Sequence, residues 1–332
     1  MVFSVPLIDR VGYSPFIKDD KGATSLSPLL LLRLIVSLGI IAFLLGLLYI
    51  NLPTVHYNRS LDSGLLPFIY TSFAASQLPK QGQLMCWVMT AEKYHESRAI
   101  AVNETWLRRC DHGVFFTNAH FPPEKNIPYR TLFAGIPDYY DNLFYKSRFA
   151  FHYIKSTMKA NFDWYLKADD DTYVVVENLR KYIETLDAEQ PYYIGFRLKP
   201  YLEHGYNGGG AGYLLSRGAL ALFEEKAYNN ETACPDDRYE DVGIGRCLAN
   251  IGIFPLDTRN DKGQQRFNTH HWAETFYGFS EDNEKEWVYD SPLLKGYEGI
   301  AQDLISYHHL SSNEIRLFDI LLYKVKVAGK DR

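Results

Sequence analysis

The sequence predicts an α/β fold built on a largely parallel sheet and preceded by a membrane-spanning helix. Three observations lead there. From Leu84 onward, short apolar runs alternate with apolar residues at helical spacing, the pattern of strands joined by crossover helices. Upstream, Pro28 to Ile50 is apolar almost throughout. The 332 residues are 46% hydrophobic and 23% charged, ordinary values for a packed chain, which excludes global disorder. A net charge of −5 argues against general nucleic-acid binding, which needs a basic field to offset phosphate charge. Aromatic residues, 15% of the chain and led by 25 Tyr, suit flat ligands such as sugars and bases, although most such rings go to the core.

The first element is the span 28–50. A run of about 20 apolar residues matches the hydrocarbon thickness of a bilayer. Its one charge, Arg33, stands near the N-terminal end, where a long side chain reaches the headgroups. No small-residue cleavage site follows; the chain continues Asn51-Leu52-Pro53-Thr54, so the span reads as an anchor and not as a removable signal. Arg10, Lys18, Lys21 and Arg33 precede or open the span and only Arg59 closely follows it, which keeps 1–27 in the cytosol and sends the rest into the secretory lumen. Acceptor sequons at Asn58, Asn103 and Asn230 agree with a lumenal chain. Residues 51–83 lack a sustained period and read as a stem.

The expected first strand is Leu84 to Thr90, followed by a helix from Ser97 to Arg109 and a second strand, Gly113 to Thr117. Phe144 to Met158 is helical, Trp164 to Ala168 a central strand, and Val176 to Leu186 helical again. Cys86, Cys110, Cys234 and Cys247 contain no C-x-x-C, which argues against a zinc site; an oxidising lumen favours disulfides. Of the possible connectivities, Cys86–Cys110 and Cys234–Cys247 each close a modest loop.

Four constellations could carry chemistry. Asp169-Asp170-Asp171 ends the central strand, where open α/β sheets bind ligands. In extended backbone the first and third carboxylates point the same way, so Asp169 and Asp171 can share a hard divalent cation. A solvated turn that caps the next helix is the plain alternative. Glu240 and Asp241 open a helix running to Cys247, either as dipole partners or with one of them as a general base. Gly208 to Gly212 lets a ligand approach the backbone closely, though its spacing is not that of a dinucleotide loop. His308 and His309 form a distant imidazole pair, which by itself is more often structural or exposed than a ligand.

These blocks also carry a resemblance. Cys-Trp-Val-Met-Thr at 86–90, Glu-Thr-Trp-Leu-Arg-Arg-Cys at 104–110, Asp163 to Arg180, Gly209 to Ser216 and Glu240 to Cys247 stand in this order. Together they resemble the core 1 β1,3-galactosyltransferase family, within glycosyltransferase family 31, from Leu84 to Leu310. The resemblance implies a GT-A fold, Rossmann-like with helices flanking a mostly parallel sheet, as a lumenal catalytic domain over 84–332. It also implies a single-pass type II Golgi anchor and inverting transfer of galactose from UDP-galactose to the 3-hydroxyl of GalNAc on Ser or Thr of glycoproteins. A homodimer is compatible with it.

Carried over by position, Asp169, Asp171 and His308 are the ligands of Mn²⁺, with Mg²⁺ as a substitute, and Asp241 is the catalytic base. Thr90, Lys146, Asp170, Gly209, Gly210, Glu240 and Trp287 fall on the substrate side, with Lys146 toward the nucleotide and Trp287 toward the acceptor. The chain departs from the pattern at Gly299 to Asp303, which lacks the family's Cys-Cys pair, and around Ala101 to Asn103. Residues 267–292 match poorly, and they would shape the acceptor site. Rival readings are a transferase of the same fold with another sugar, a chaperone-like paralogue without activity, and a calcium-dependent binding module. The intact Asp169–Asp171 pair counts against the paralogue.

Overall fold

The computed structural model describes residues 84–158, 161–278 and 281–328, together with Leu29 and Ser37, both helical. The predicted tail, the stem, the sequon at Asn58 and the rest of the predicted span lie outside the described residues. Among the described residues no helix is long and apolar enough to cross a membrane. Every element from Leu84 onward lies in one compact unit, Leu66–Arg332.

Its strands are Leu84–Met89 (β1), His112–Phe116 (β2), Tyr129–Arg130 (β3), Trp164–Asp169 (β4), Tyr173–Val174 (β5), Tyr193–Ile194 (β6), Arg197–Leu198 (β7), Tyr206–Asn207 (β8), Tyr213–Ser216 (β9), Pro255–Leu256 (β10) and Ser306–Tyr307 (β11). The α-helices are Ile100–Glu104 (α1), Leu143–His152 (α2), Val176–Ile183 (α3), Arg217–Leu222 (α4), Glu240–Ala249 (α5), Trp272–Tyr277 (α6), Glu281–Trp287 (α7) and Ser312–Tyr323 (α8).

The main sheet has seven strands in the order β10-β6-β9-β4-β1-β2-β3. β1 runs parallel to both β2 and β4, β2 to β3, and β10 to β6, whereas β9 runs antiparallel to β4 and β6. The sheet is therefore mixed with a parallel majority. All six residues of β1 are buried, as an unbroken apolar run requires when a strand is covered on both faces. Leu84, Cys86 and Val88 pack with α1, α3 and α8 on one face. Met85, Trp87 and Met89 pack with α2, α4 and α5 on the other. That alternation follows from the two-residue repeat of an extended chain.

Three predicted helices come out shorter or broken. The expected helix 97–109 is a π-helical turn (His95–Ala99), then α1, then a 3₁₀ turn (Trp106–Arg109). Thr105 leaves helical geometry at φ −116°, ψ −108°, and the Trp106 indole N–H donates to the Thr172 carbonyl at 2.9 Å. A tertiary bond thus overrides the local helical pattern. The helix expected over 144–158 ends as α2 at His152 and continues as a π-turn, and that over 176–186 stops at Ile183.

Both expected disulfides are present, Cys86–Cys110 and Cys234–Cys247. The first spans 24 positions and ties β1 to the end of the 3₁₀ turn. By loop-closure entropy, replacing both Cys86 and Cys110 with Ala should cost about 3 kcal/mol. Urea unfolding measures this directly, and an unchanged midpoint would show that the crosslink adds nothing to the fold.

One glycosylation expectation is corrected. Asn103 lies inside α1 at 4% exposure, and the Thr105 hydroxyl of the same sequon is buried, donating to the Ala101 carbonyl at 2.7 Å. A glycan cannot be accommodated where the side chain has no path to solvent. Asn230 is exposed. Glycopeptide mass spectrometry of the chain expressed in a glycosylating eukaryotic host should find Asn103 bare, whatever the occupancy of Asn230.

Candidate active site

Parallel pairing aligns the carboxyl ends of β1 and β4, which places Thr90 beside the acidic triplet. Antiparallel β9 pairs Lys167 with Tyr213, so the glycine block just before β9 arrives at the same edge of the sheet. β11 pairs with β5, Tyr307 opposite Tyr173, which carries His308 in from the far end of the chain. The Leu310 N–H then donates to the Asp171 carbonyl at 3.0 Å. These elements bound a cleft of about 590 Å³. It is lined by every one of the predicted ligand, base and substrate residues: Asp169, Asp171, His308, Asp241, Thr90, Lys146, Asp170, Gly209, Gly210, Glu240 and Trp287.

The acidic triplet departs from the extended geometry read from its spacing. β4 ends at Asp169, and a turn closed by Thr172 N–H to the Asp169 carbonyl (3.3 Å) carries Asp170 and Asp171. The His308 Nε2 lies 3.0 Å from an Asp171 oxygen and 3.8 Å from one of Asp169. Among the described residues, however, the ligand atoms close enough to share one ion are those of Asp171, His308 and His309, while Asp169 is drawn to Lys167 at 2.6 Å. Asp170 turns the other way, accepting from the Thr90 hydroxyl at 2.7 Å and from Arg98 at 3.1 Å. Burial pushes the Asp170 carboxyl up to about 7, against the pull of Thr90 and Arg98. Burial also opposes the charge on Asp171, but the bond from His308 together with the nearby charges of His308, Arg98 and His309 outweighs it and holds the pKa below the ordinary value.

His308 tests whether a cation fits. Its Nδ1 lies 3.0 Å from the Thr269 carbonyl, which can only accept, so Nδ1 carries the hydrogen and Nε2 faces the carboxylates. In the neutral ring that is a lone pair aimed at two acceptors. Either a proton on Nε2, donated to Asp171, or a divalent cation resolves that mismatch, and carboxylates with an imidazole form a donor set suited to such a metal. Burial resists protonation of His308, yet Asp171 and Asp169 prevail and raise its pKa. His309 adds a further nitrogen: ligand atoms of Asp171, His308 and His309 all lie within 4.8 Å of one another.

A second charged group joins this cluster to the helix carrying the predicted base. Lys167, buried inside β4, places its ammonium 2.6 Å from Asp169 and 3.6 Å from Glu240. Burial works against that charge, but Asp169 and Glu240 overcome it and raise the lysine pKa. Glu240 is itself buried and accepts from the Tyr213 hydroxyl at 2.7 Å. Its neighbour Asp241 faces the cleft, accepting from the N–H groups of Val242 (2.9 Å) and Gly209 (3.3 Å). Burial raises the Asp241 pKa, and those two N–H groups pull it back.

The remaining predicted residues are placed as follows. Lys146 reaches the cleft wall but is 1% exposed, its ammonium held 2.8 Å from Asp138. Trp287, at the end of α7, is 38% exposed at the cleft mouth. Lys167, Arg98 and His309 were not assigned from sequence. A lysine within an apolar strand and the doubled histidine were legible signals, whereas nothing local marks Arg98, which bridges Asp170 and Asp171 at 3.1 Å each.

Residues 80–260 match the Fringe-like family. Glycoprotein-N-acetylgalactosamine 3-beta-galactosyltransferase 1 of Xenopus laevis is 30% identical over 262 residues, 77% of this chain and 70% of that protein. Chondroitin sulfate synthase 3 of Homo sapiens is 29% identical over 72% of this chain, an alignment that spans only 26% of that longer protein. Among solved structures, a glycosyltransferase involved in glycosylation of the major capsid of PBCV-1 overlaps 47% of this chain and 71% of its own at 16% identity, with a TM-score of 0.31. With more than half its length matched by the family and a 30% identical relative covered over most of its own length, the chain belongs to the Fringe-like family of glycosyltransferases.

Proposed function

We propose that this chain is an inverting, divalent-metal-dependent β1,3-galactosyltransferase, using UDP-galactose as donor and the 3-hydroxyl of GalNAc-α-Ser/Thr on glycoproteins as acceptor. One observation carries the reading: a single cleft brings the Asp169–Asp171–His308 cluster together with Asp241 at the start of α5. The similarity to a galactosyltransferase named for N-acetylgalactosamine supports the choice of sugars.

Asp169, Asp171 and His308 would hold Mn²⁺ or Mg²⁺, with His309 alongside. When bound, such an ion supplies charge compensation to a departing diphosphate. The chain's own residues do the rest. Asp241 takes the proton of the acceptor hydroxyl as that oxygen attacks the anomeric carbon from the face opposite the leaving group. Lys167 fixes the orientation of Asp169 and balances the charge of Glu240. Gly209 and Gly210 line the cleft, and their missing side chains leave room for Glu240 and His308 to close in behind them. Thr90, Asp170 and Lys146 line the donor side, and Trp287 offers a flat apolar face to the acceptor sugar. The span 28–50, with basic residues before it, supports a type II anchor in the Golgi membrane.

The test incubates the full chain in detergent with a panel of UDP-sugars and a GalNAc-α-peptide, with and without Mn²⁺. The expected result is β1,3-linked galactose, formed only from UDP-galactose and only with the metal. Transfer from another UDP-sugar would favour a sister β1,3-transferase, a reading supported by the similarity to chondroitin sulfate synthase 3. No transfer from any donor would overturn both.

A further inference from the structure

Among the described residues, three non-glycine positions have left-handed backbone: Asn126 (φ +45°), Tyr201 (φ +75°) and His309 (φ +58°). Asn tolerates this conformation, and His309 belongs to the candidate metal cluster. Tyr201 is different. A bulky aromatic residue there is strained, and at 59% exposure its side chain recovers little of the cost by burial.

Its surroundings point outward from the cleft. The Tyr201 ring stands edge-on to Trp287, 6.1 Å between centroids, and stacks on Tyr239 at 6.0 Å. Trp287 lines the cleft, and Tyr239 immediately precedes Glu240 and Asp241. Two backbone bonds tie β7 and the residue after it to the end of α7: Lys199 N–H to the Trp287 carbonyl (3.0 Å) and Tyr289 N–H to the Arg197 carbonyl (3.2 Å). Through these ring contacts the three partly exposed side chains form one aromatic surface that begins at Trp287 in the cleft lining and continues beyond it.

We propose that this platform binds the peptide that carries the acceptor sugar, with Tyr201 selecting a glycopeptide over a bare glycoside. The inference rests on the proposed reading of the acceptor as GalNAc on Ser or Thr. With the 3-hydroxyl at Asp241, the anomeric carbon stands two ring positions away, and the peptide it carries, too large for the cleft, has to leave on the side where Trp287 stands. What emerges there meets aromatic faces, which suit prolyl and alkyl groups of an uncharged peptide.

The experiment compares kcat/KM for a GalNAc-α-peptide with that for methyl α-GalNAc, in the full chain and in Tyr201→Gly and Tyr201→Phe. The glycopeptide-to-glycoside ratio should fall about fivefold to tenfold in Tyr201→Gly, through KM, and stay within twofold in Tyr201→Phe, which keeps the ring. Glycine is at ease at this φ, so the melting temperature of Tyr201→Gly should hold or rise. An unchanged ratio, or an equal loss on both acceptors with a lowered melting temperature, would mark Tyr201 as structural and overturn the inference alone. A wild-type chain that transfers to neither acceptor would overturn the proposed function and this inference with it.

Discussion

Asp241→Asn should lower kcat by about 10²–10⁴-fold while leaving donor KM nearly unchanged, the usual worth of a positioned general base. Asparagine keeps the shape and one acceptor oxygen, so one of the two N–H bonds, from Val242 or Gly209, can survive. What is lost is the ability to take a proton. The fold should not suffer. Burial raises the Asp241 pKa, so the folded state binds this proton more tightly than the unfolded one. Stability from this group therefore falls as pH rises from the unfolded value of about 3.9 through the raised folded value, and at neutral pH the ionised carboxylate is a net cost. Removing it should leave the melting temperature level or higher. In the wild type, kcat/KM should rise with pH through an apparent pKa above the ordinary Asp value, and the variant should lose that limb. Near-normal turnover by a folded Asp241→Asn chain would remove this residue from the chemistry.

Gly210→Ala should abolish tight divalent-metal binding without touching a ligand. A Cβ built there would lie 2.6 Å from His308 Nε2 and nearer still to Nδ1 and Cε1. One side must move. The glycine block is pinned by Thr172 Oγ1 donating to the Gly210 carbonyl (2.8 Å) and Ser306 Oγ donating to the Ala211 carbonyl (2.6 Å). The imidazole must therefore leave its bond to Thr269 and its place facing Asp169 and Asp171. Loss of such ligand positioning costs about 10–100-fold in metal affinity. Transfer activity should fall at least as far. Mn²⁺ titration followed by electron paramagnetic resonance reads the affinity apart from turnover. Gly209→Ala is the contrasting variant: its Cβ would meet Glu240 Oε2 at 2.6 Å, and its nearest neighbours are Glu240, Lys167 and Asp241 instead of the imidazole. It should lower turnover and keep the metal. Equal Mn²⁺ affinity in wild type and Gly210→Ala would detach His308 from the metal site.

Elements whose information is local could be read from the chain alone. Leu84 to Met89 and Trp164 to Ala168 read as buried strands because an unbroken apolar run has few other stable uses. The disulfide partners were legible because each pair is close along the chain. The helix of Glu240 and Asp241 was legible because its pattern continues to Cys247. The roles expected of Asp241 and His308, by contrast, came from the resemblance and not from their spacing.

Tertiary structure alone decided the rest. His308 stands beside Asp171 because Tyr307 pairs with Tyr173 across more than a hundred residues, a register that no local pattern encodes. The helix expected through Thr105 breaks because the Trp106 indole finds a carbonyl on another segment. Asn103 carries a sequon but is buried under the same packing. The charge on Lys167 is tolerable only because folding brings Asp169 and Glu240 to it. Local sequence fixes which conformations a segment prefers, whereas the neighbours of a side chain, and hence its charge state and chemistry, follow from pairings that form only when distant segments meet.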